Sequence, residues 1–285
     1  MREMAGMRGA PGRGFALDHL TVVDATPPAL VELAANHGYT GVCAFLHGMD
    51  VLPHMPAFDL VADAAMRRDL RRALSRTGTR LELAYPFTLS RATDMAAMQR
   101  TLDCAADLGA NCVNLLSYDR DPGQRIDRFG TFCDLAGVRG LKVALEFFPR
   151  SAVPSLADGL MLVGAIDRPG QVGVNVDLLH LVRSDGRIGD LASAPAGHIL
   201  YAQLCDGPAA CPDIDRDHEA SAQRRLIGEG VFDVAAFVGT LPPDCPVSLE
   251  IPRDAAIAAG QSPAARALAA IDSARAALPC DHSRG

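Results

Sequence analysis

Four oxygen-bearing side chains close four apolar runs in the second half of this chain. They are Glu146 in "KVALEFF", Asp177 in "VGVNVDLLH", Gln203 in "ILYAQLCDG" and Glu250 in "VSLEIPR". His180 follows Asp177 by one helical turn, and Asp206 lies just beyond Gln203. A carboxylate that ends a buried strand needs compensation. Each buried anion costs several kcal/mol unless it is paired or bound to a cation. Three carboxylates and an amide oxygen suit one hard divalent ion, Mn²⁺ or Mg²⁺, with Co²⁺ a further candidate. Zinc would favour more His or Cys, and only Cys205 falls nearby. Glu146, Asp177, Gln203 and Glu250 are therefore assigned as metal ligands. Taken singly, each acid could be a helix N-cap or an ion-pair partner. Four on consecutive strands are harder to explain that way.

The elements that must hold these residues repeat. Apolar runs alternate with amphipathic stretches eight times. The strands are read at 20–25, 41–46, 81–87, 112–118, 142–148, 172–179, 199–207 and 247–252. Continuous apolar runs are the mark of parallel strands buried on both faces. Eight strand–helix units in some 260 residues is the arithmetic of a (β/α)₈ TIM barrel, a single domain over 18–278. Residues 1–17 read as a disordered leader, basic but without an apolar core, and 279–285 as a tail. A doubly wound open sheet is the runner-up, and no G-x-G-x-x-G follows the first strand to support it. In a barrel, chemistry sits at the C-terminal strand ends, where all four candidate ligands fall. The long irregular segment 206–230 reads as a functional loop.

Composition narrows the partners. The net charge of −7 argues against a nucleic-acid surface. No apolar run reaches the ~18 residues of a membrane span. The eight cysteines, at 43, 104, 112, 133, 205, 211, 245 and 280, are scattered and form no C-x-x-C. They read as reduced thiols of a cytoplasmic protein. A small-molecule substrate is expected, with a homo-oligomer open. Lys142 is the sole lysine. It opens the fifth strand, roughly 13 Å below Glu146 at ~3.3 Å per residue, so a Schiff-base aldolase is disfavoured. A metal-free glycosidase would use two of the carboxylates and survive chelation. A non-catalytic binding barrel is the remaining reading. Tyr85, Phe87 and His47 could line a pocket, and Arg225 and Arg253 could hold an anionic group.

The segments "LEFFPRSAVPSLADG", "VNVDLLHLVRSDG", "YAQLCDGP", "RRLIGEGVFD" and "VSLEIP" resemble the sequential blocks of the xylose-isomerase-like TIM-barrel superfamily of sugar isomerases and epimerases. The resemblance runs from about 18 to 278. It implies one divalent metal on the four residues named above, with Glu146 and Glu250 as an acid/base pair facing opposite sides of the substrate. It also implies substrate contacts from His180 and Arg225. Asp206 by itself reads either as a loop cap or as a carboxylate behind the ligands. Gln203, where many epimerases have His, is similar to bacterial 3-dehydroshikimate dehydratases. The expected reaction starts with α-proton abstraction from a ketose or cyclic hydroxyketone, giving an enediolate. Epimerisation or isomerisation is the first expectation, and dehydration of the 3-dehydroshikimate type the alternative.

Overall fold

The computed structural model describes residues 14–278. Eight parallel strands close on themselves in sequence order: β1 Phe15–Asp18, β2 Gly41–Phe45, β3 Arg80–Leu89, β4 Cys112–Ser117, β5 Lys142–Glu146, β6 Val172–Asp177, β7 Ile199–Leu204 and β8 Val247–Leu249. The helices are α1 Pro27–Asn36, α2 Ala64–Thr77, α3 Met95–Asp107, α4 Pro122–Gly137, α5 Leu156–Ile166, α6 Leu178–Arg183, α7 Arg216–Ala222, α8 Val234–Thr240, α9 Asp254–Ala258 and α10 Pro263–Ala277. This is the expected single-domain (β/α)₈ barrel.

One strand lies elsewhere than expected. "LTVVDA" has the apolar content of a strand, yet 19–22 forms a 3-10 turn and β1 is the shorter "FALD" before it. Val22 of that turn is buried in the outer core, while Leu20 packs on the barrel interior. The barrel therefore begins at Phe15, inside the stretch read as leader, and residues 1–13 lie outside the described residues.

The helices start where local chemistry dictates. Asp63, Asp94 and Asp121 cap α2, α3 and α4 by accepting their first free N–H groups. Ser155 and Ser262 do the same for α5 and α10. Gly78 ends α2 at φ 70°, a conformation a side chain would resist.

Two apolar cores result. The larger fills the space between strands and helices, and includes Leu17, Val42, Phe87, Phe129, Phe132, Val174, Phe237 and Leu249. The smaller plugs the barrel interior with Ala16, Cys43, Leu83, Cys112, Ala144 and Tyr201. Small side chains there suit the narrow bore of an eight-stranded barrel. Above this plug the inward-facing residues turn polar.

Candidate functional site

The polar layer is staggered along the strands. Glu146 is registered with Asn175, Asp177 with Gln203, and Gln203 with Ser248. Two-residue steps at β5–β6 and β7–β8 are what tilted barrel strands need for one interior layer to stay level. All four candidate ligands consequently converge, with none more than 7% exposed.

A belt of hydrogen bonds runs round that layer. Asn114 Nδ2 donates to Glu146 Oε2. Asn175 Nδ2 donates to Asn114 Oδ1 at 3.1 Å and also to Gln203 Oε1. Gln203 Nε2 donates to Glu250 Oε2, and to Asp18 Oδ2 at 3.3 Å. The Tyr85 hydroxyl donates to Asp18 Oδ1 at 2.6 Å. Gln203 thus gives its oxygen to Asn175 and its nitrogen to two acids. That oxygen is already engaged, although Gln203 lines the cavity.

Asp177 does two jobs at once. Its Oδ1 caps α6, accepting from the N–H groups of Leu179 at 2.7 Å and His180 at 3.2 Å. Its Oδ2 accepts from Arg224 Nη1 at 2.6 Å. The other nitrogen, Nη2, lies 2.6 Å from Glu250 Oε1. Arg224 is fully buried, so its guanidinium is the cation set between two of the acids. His180 Nε2 stands 3.3 Å from Glu146 Oε1, its ring packed 4.9 Å from that of Phe148. Glu146, Asp177 and His180 bring ligand atoms within 4.8 Å of one another, the grouping best placed to hold a metal ion.

Electrostatics follow from this crowding. Burial pushes the Glu250 carboxyl well up, and neighbouring Asp18, Asp177 and Glu146 add to it against the pull of Arg224. Burial likewise raises Asp18 to about 6. Burial would raise Asp177 too, but Arg224 and His180 outweigh it and hold that carboxyl low. Four acids, Asp18, Glu146, Asp177 and Glu250, face one arginine.

Arg225, expected to contact substrate, lies outside. It is exposed and donates to the Glu229 carbonyl. The reason is local. Residues 223–225 run extended between two strand ends, pairing at Gln223 with Arg253 and at Arg225 with Asp206. Side chains in an extended segment alternate, so Gln223 and Arg225 face out and Arg224 faces in. A signal for this existed: Ala222 and Leu226 flank Arg224 at period two and are both packed inward. Arg253 is half-buried beside Gln223 and does not line the cavity, nor does His47. Tyr85, Phe87 and His180 do line it.

Asp206 pins the long loop. Its carboxylate accepts N–H groups from Gly207, Gly228, Gly230 and Phe232, so one side chain ties both ends together. A Cβ on Gly230 would collide with that carboxylate. The loop's middle forms α7. Glu219 of α7 accepts two bonds from Arg183, at 2.6 and 2.7 Å, which fastens α7 across the barrel mouth. Sequence reasoning missed Asp18, Asn114, Asn175 and Arg224, and His218 of α7, which also lines the cavity. Asp18 was hidden by the misplaced first strand.

Among the described residues no helix is long and apolar enough to cross a membrane. The seven described cysteines form no disulfide with one another.

The family model described as xylose isomerase-like TIM barrel matches residues 31–276, and the chain belongs to that family. No curated protein sequence matches it. Among solved structures, a xylose isomerase-like TIM barrel/4-hydroxyphenylpyruvate dioxygenase fusion protein is similar over 92% of this chain, at 21% identity and TM-score 0.77. The chain spans only 42% of that fusion. The IolI protein with a bound zinc atom is similar over 95% of this chain and 100% of its own, at 17% identity and TM-score 0.74. The probable 3-DHS dehydratase AsbF from Bacillus anthracis is similar over 83% and 91%, at 13% identity and TM-score 0.65. At such identities the likeness is one of fold.

Proposed function

We propose that this member of the xylose isomerase-like family is a divalent-metal-dependent enzyme that removes the α-proton of a hydroxyketone, with Glu146 as the base and His180 as its partner. The observation that carries the reading is the 3.3 Å approach of His180 Nε2 to a Glu146 oxygen, buried at the C-terminal mouth of the barrel. A positioned carboxylate can take a proton, and an imidazole in hydrogen-bond reach of it can relay one.

The residues fit a dication. Four acids share the layer with Arg224, and burial pushes two of them, Asp18 and Glu250, towards protonation. Asn175 Oδ1 is buried in the same layer and accepts no hydrogen bond. Of the Glu146–Asp177–His180 grouping, the two carboxylates would hold the ion, with Glu250 and Gln203 behind them, which leaves His180 Nε2 to carry a proton. When bound, such an ion supplies Lewis-acid polarisation of a carbonyl. The carboxylate oxygens are the reason to favour Mn²⁺, Mg²⁺ or Co²⁺.

The chain's own groups then divide the work. Glu146 receives the α-proton. His180, packed against the Phe148 ring, is positioned to pass a proton to or from the same face. Arg224 keeps Asp177 and Glu250 in place. Glu250 has both oxygens engaged, one by Arg224 and one by Gln203. Burial and the neighbouring acids also push Glu250 towards its protonated form, a poor second base, so we favour isomerisation, with one base moving a proton between adjacent carbons, over epimerisation. A second reading, dehydration of a cyclic hydroxyketone such as 3-dehydroshikimate, is favoured by that same one-sided pair. Glu146 would take the proton while His180 protonates the departing hydroxyl. Gln203 and the likeness to AsbF support it.

Proton NMR in D₂O decides between these. Mn²⁺-loaded protein with a panel of ketoses, inososes and 3-dehydroshikimate, each with an EDTA control, should show chelator-sensitive exchange of an α-proton. New aromatic signals from 3-dehydroshikimate would make the dehydratase reading the correct one. A chelator-insensitive reaction would refute metal dependence.

A further inference from the structure

We infer that the substrate is amphipathic: a hydroxyketone whose reacting end meets Glu146 and His180, and whose remote part is an aryl or alkyl group seated against the wall formed by Met49 and Leu52. The inference rests on the reading of the site as a hydroxyketone enzyme, and adds the class of substrate.

The cavity has two unlike halves. Strands β5–β8 and the loop after β7 supply Glu146, His180, Gln203, Arg224 and Glu250. The other half, from β1–β4 and the loops beyond them, supplies Leu20, Phe45, Met49, Val51, Leu52 and Leu116. These apolar residues are continuous with the plug inside the barrel, onto which Leu20, Met49 and Leu52 pack. The polar groups on that half are largely spoken for. Tyr85 donates to Asp18, and Asn114 bonds Glu146 and Asn175. Thr88 and Tyr118 are exposed at the rim.

A polyol laid on this wall would leave hydroxyls without partners, which disfavours it. A ring or alkyl chain would instead remove apolar surface from water on both sides of the contact. Size agrees. The cavity measures about 640 Å³, room for about twenty groups of water size at ~30 Å³ each. A ketohexose has a dozen heavy atoms and would leave much of that space unfilled. Cavities of this volume and apolar lining suit larger, partly hydrophobic ligands. Val51, at the mouth, is 78% exposed, an apolar side chain in position to touch a ligand that fills the outer half.

The test uses the Mn²⁺-loaded full chain and two probes of the same reactive unit, 2-hydroxyacetophenone and dihydroxyacetone. Calorimetric titration should give at least tenfold tighter binding for the aryl probe. The substitutions Met49→Gln and Leu52→Gln, made separately at half-buried positions, should each cut that preference to threefold or less. Equal affinity for the two probes, or an undiminished preference in both folded variants, would overturn the inference. Exchange of the probes' α-protons in D₂O is read in parallel. Preference without chelator-sensitive exchange would sink the hydroxyketone reading and leave the amphipathic cavity standing. Exchange without preference would do the reverse.

Discussion

Arg224 and Asp177 are joined at 2.6 Å with both side chains essentially excluded from solvent, and the second nitrogen of the same guanidinium holds Glu250. Breaking a buried pair leaves an uncompensated charge, typically at a cost of 3–5 kcal/mol. Arg224→Met would leave two such charges. We expect a stability loss of about 3–5 kcal/mol in EDTA, seen as a drop on the order of 10 °C in thermal unfolding. Saturating Mn²⁺ should restore more of the lost stability in the variant than it adds to the native chain. A variant as stable as the native chain would show that the acids are neutralised by protonation and not by Arg224.

Glu146→Gln keeps the size of the side chain and removes the proposed base. Chelator-sensitive proton exchange should fall by about 10²- to 10⁴-fold, the usual contribution of general base catalysis. The unfolding temperature should move by only a few degrees. Glu250→Gln should also abolish turnover, because an amide cannot reproduce the carboxyl that Arg224 and Gln203 hold. Near-native exchange in the Glu146 variant would overturn its assignment.

Two neighbouring groups respond oppositely to acid. Burial lowers His19 from 6.5 to about 4, so the folded chain keeps it neutral. Its stabilising contribution is complete above the unfolded value near 6.5 and is lost as pH falls towards 4. Asp18 is raised from 3.8 to about 6, so the fold binds that proton more tightly than the unfolded chain does. Its effect on stability becomes more favourable as pH falls from about 6 to 3.8. Between pH 6 and 4 the two oppose each other. Asp18→Asn should therefore steepen the fall of unfolding temperature with acid, and His19→Gln should flatten it. Parallel pH profiles for the native chain and both variants would disprove the linkage.

The long loop after β7 depends on one carboxylate. Asp206→Ala would strip acceptors from four backbone N–H groups. Hydrogen bonds to charged groups contribute about 1.5–3 kcal/mol each, with strong non-additivity. Limited trypsin digestion well below the unfolding temperature should cleave the variant at Arg216 or Arg225 at least tenfold faster. Unchanged cleavage would show that the Arg183–Glu219 pair alone fastens the loop.

Much of this was legible from the chain. Eight apolar runs, each followed by an amphipathic stretch, specify strands that must be buried on both faces, and the misplaced β1 misled. Val22 is as buried as a strand residue while lying in a 3-10 turn, so apolar content alone could not tell them apart. Glu146, Asp177, Gln203 and Glu250 could be picked out because each interrupts an apolar run at its end, a pattern local to a few residues.

Tertiary structure decided the rest. Barrel closure sets β1 beside β8 and so brings Asp18 into the company of Glu250 and Gln203, hundreds of residues away in sequence. The extended path of 223–225 between two strand ends chose Arg224 over Arg225, because alternation turns one side chain in and its neighbour out. The direction of the Gln203 amide was likewise set by Asn175 and Glu250, partners on the adjoining strand and on the chain just beyond β8. Sequence determines which residues can carry charge at a strand end. Which charges meet there depends on stagger, closure and loop path, and these are settled only when the whole barrel is packed.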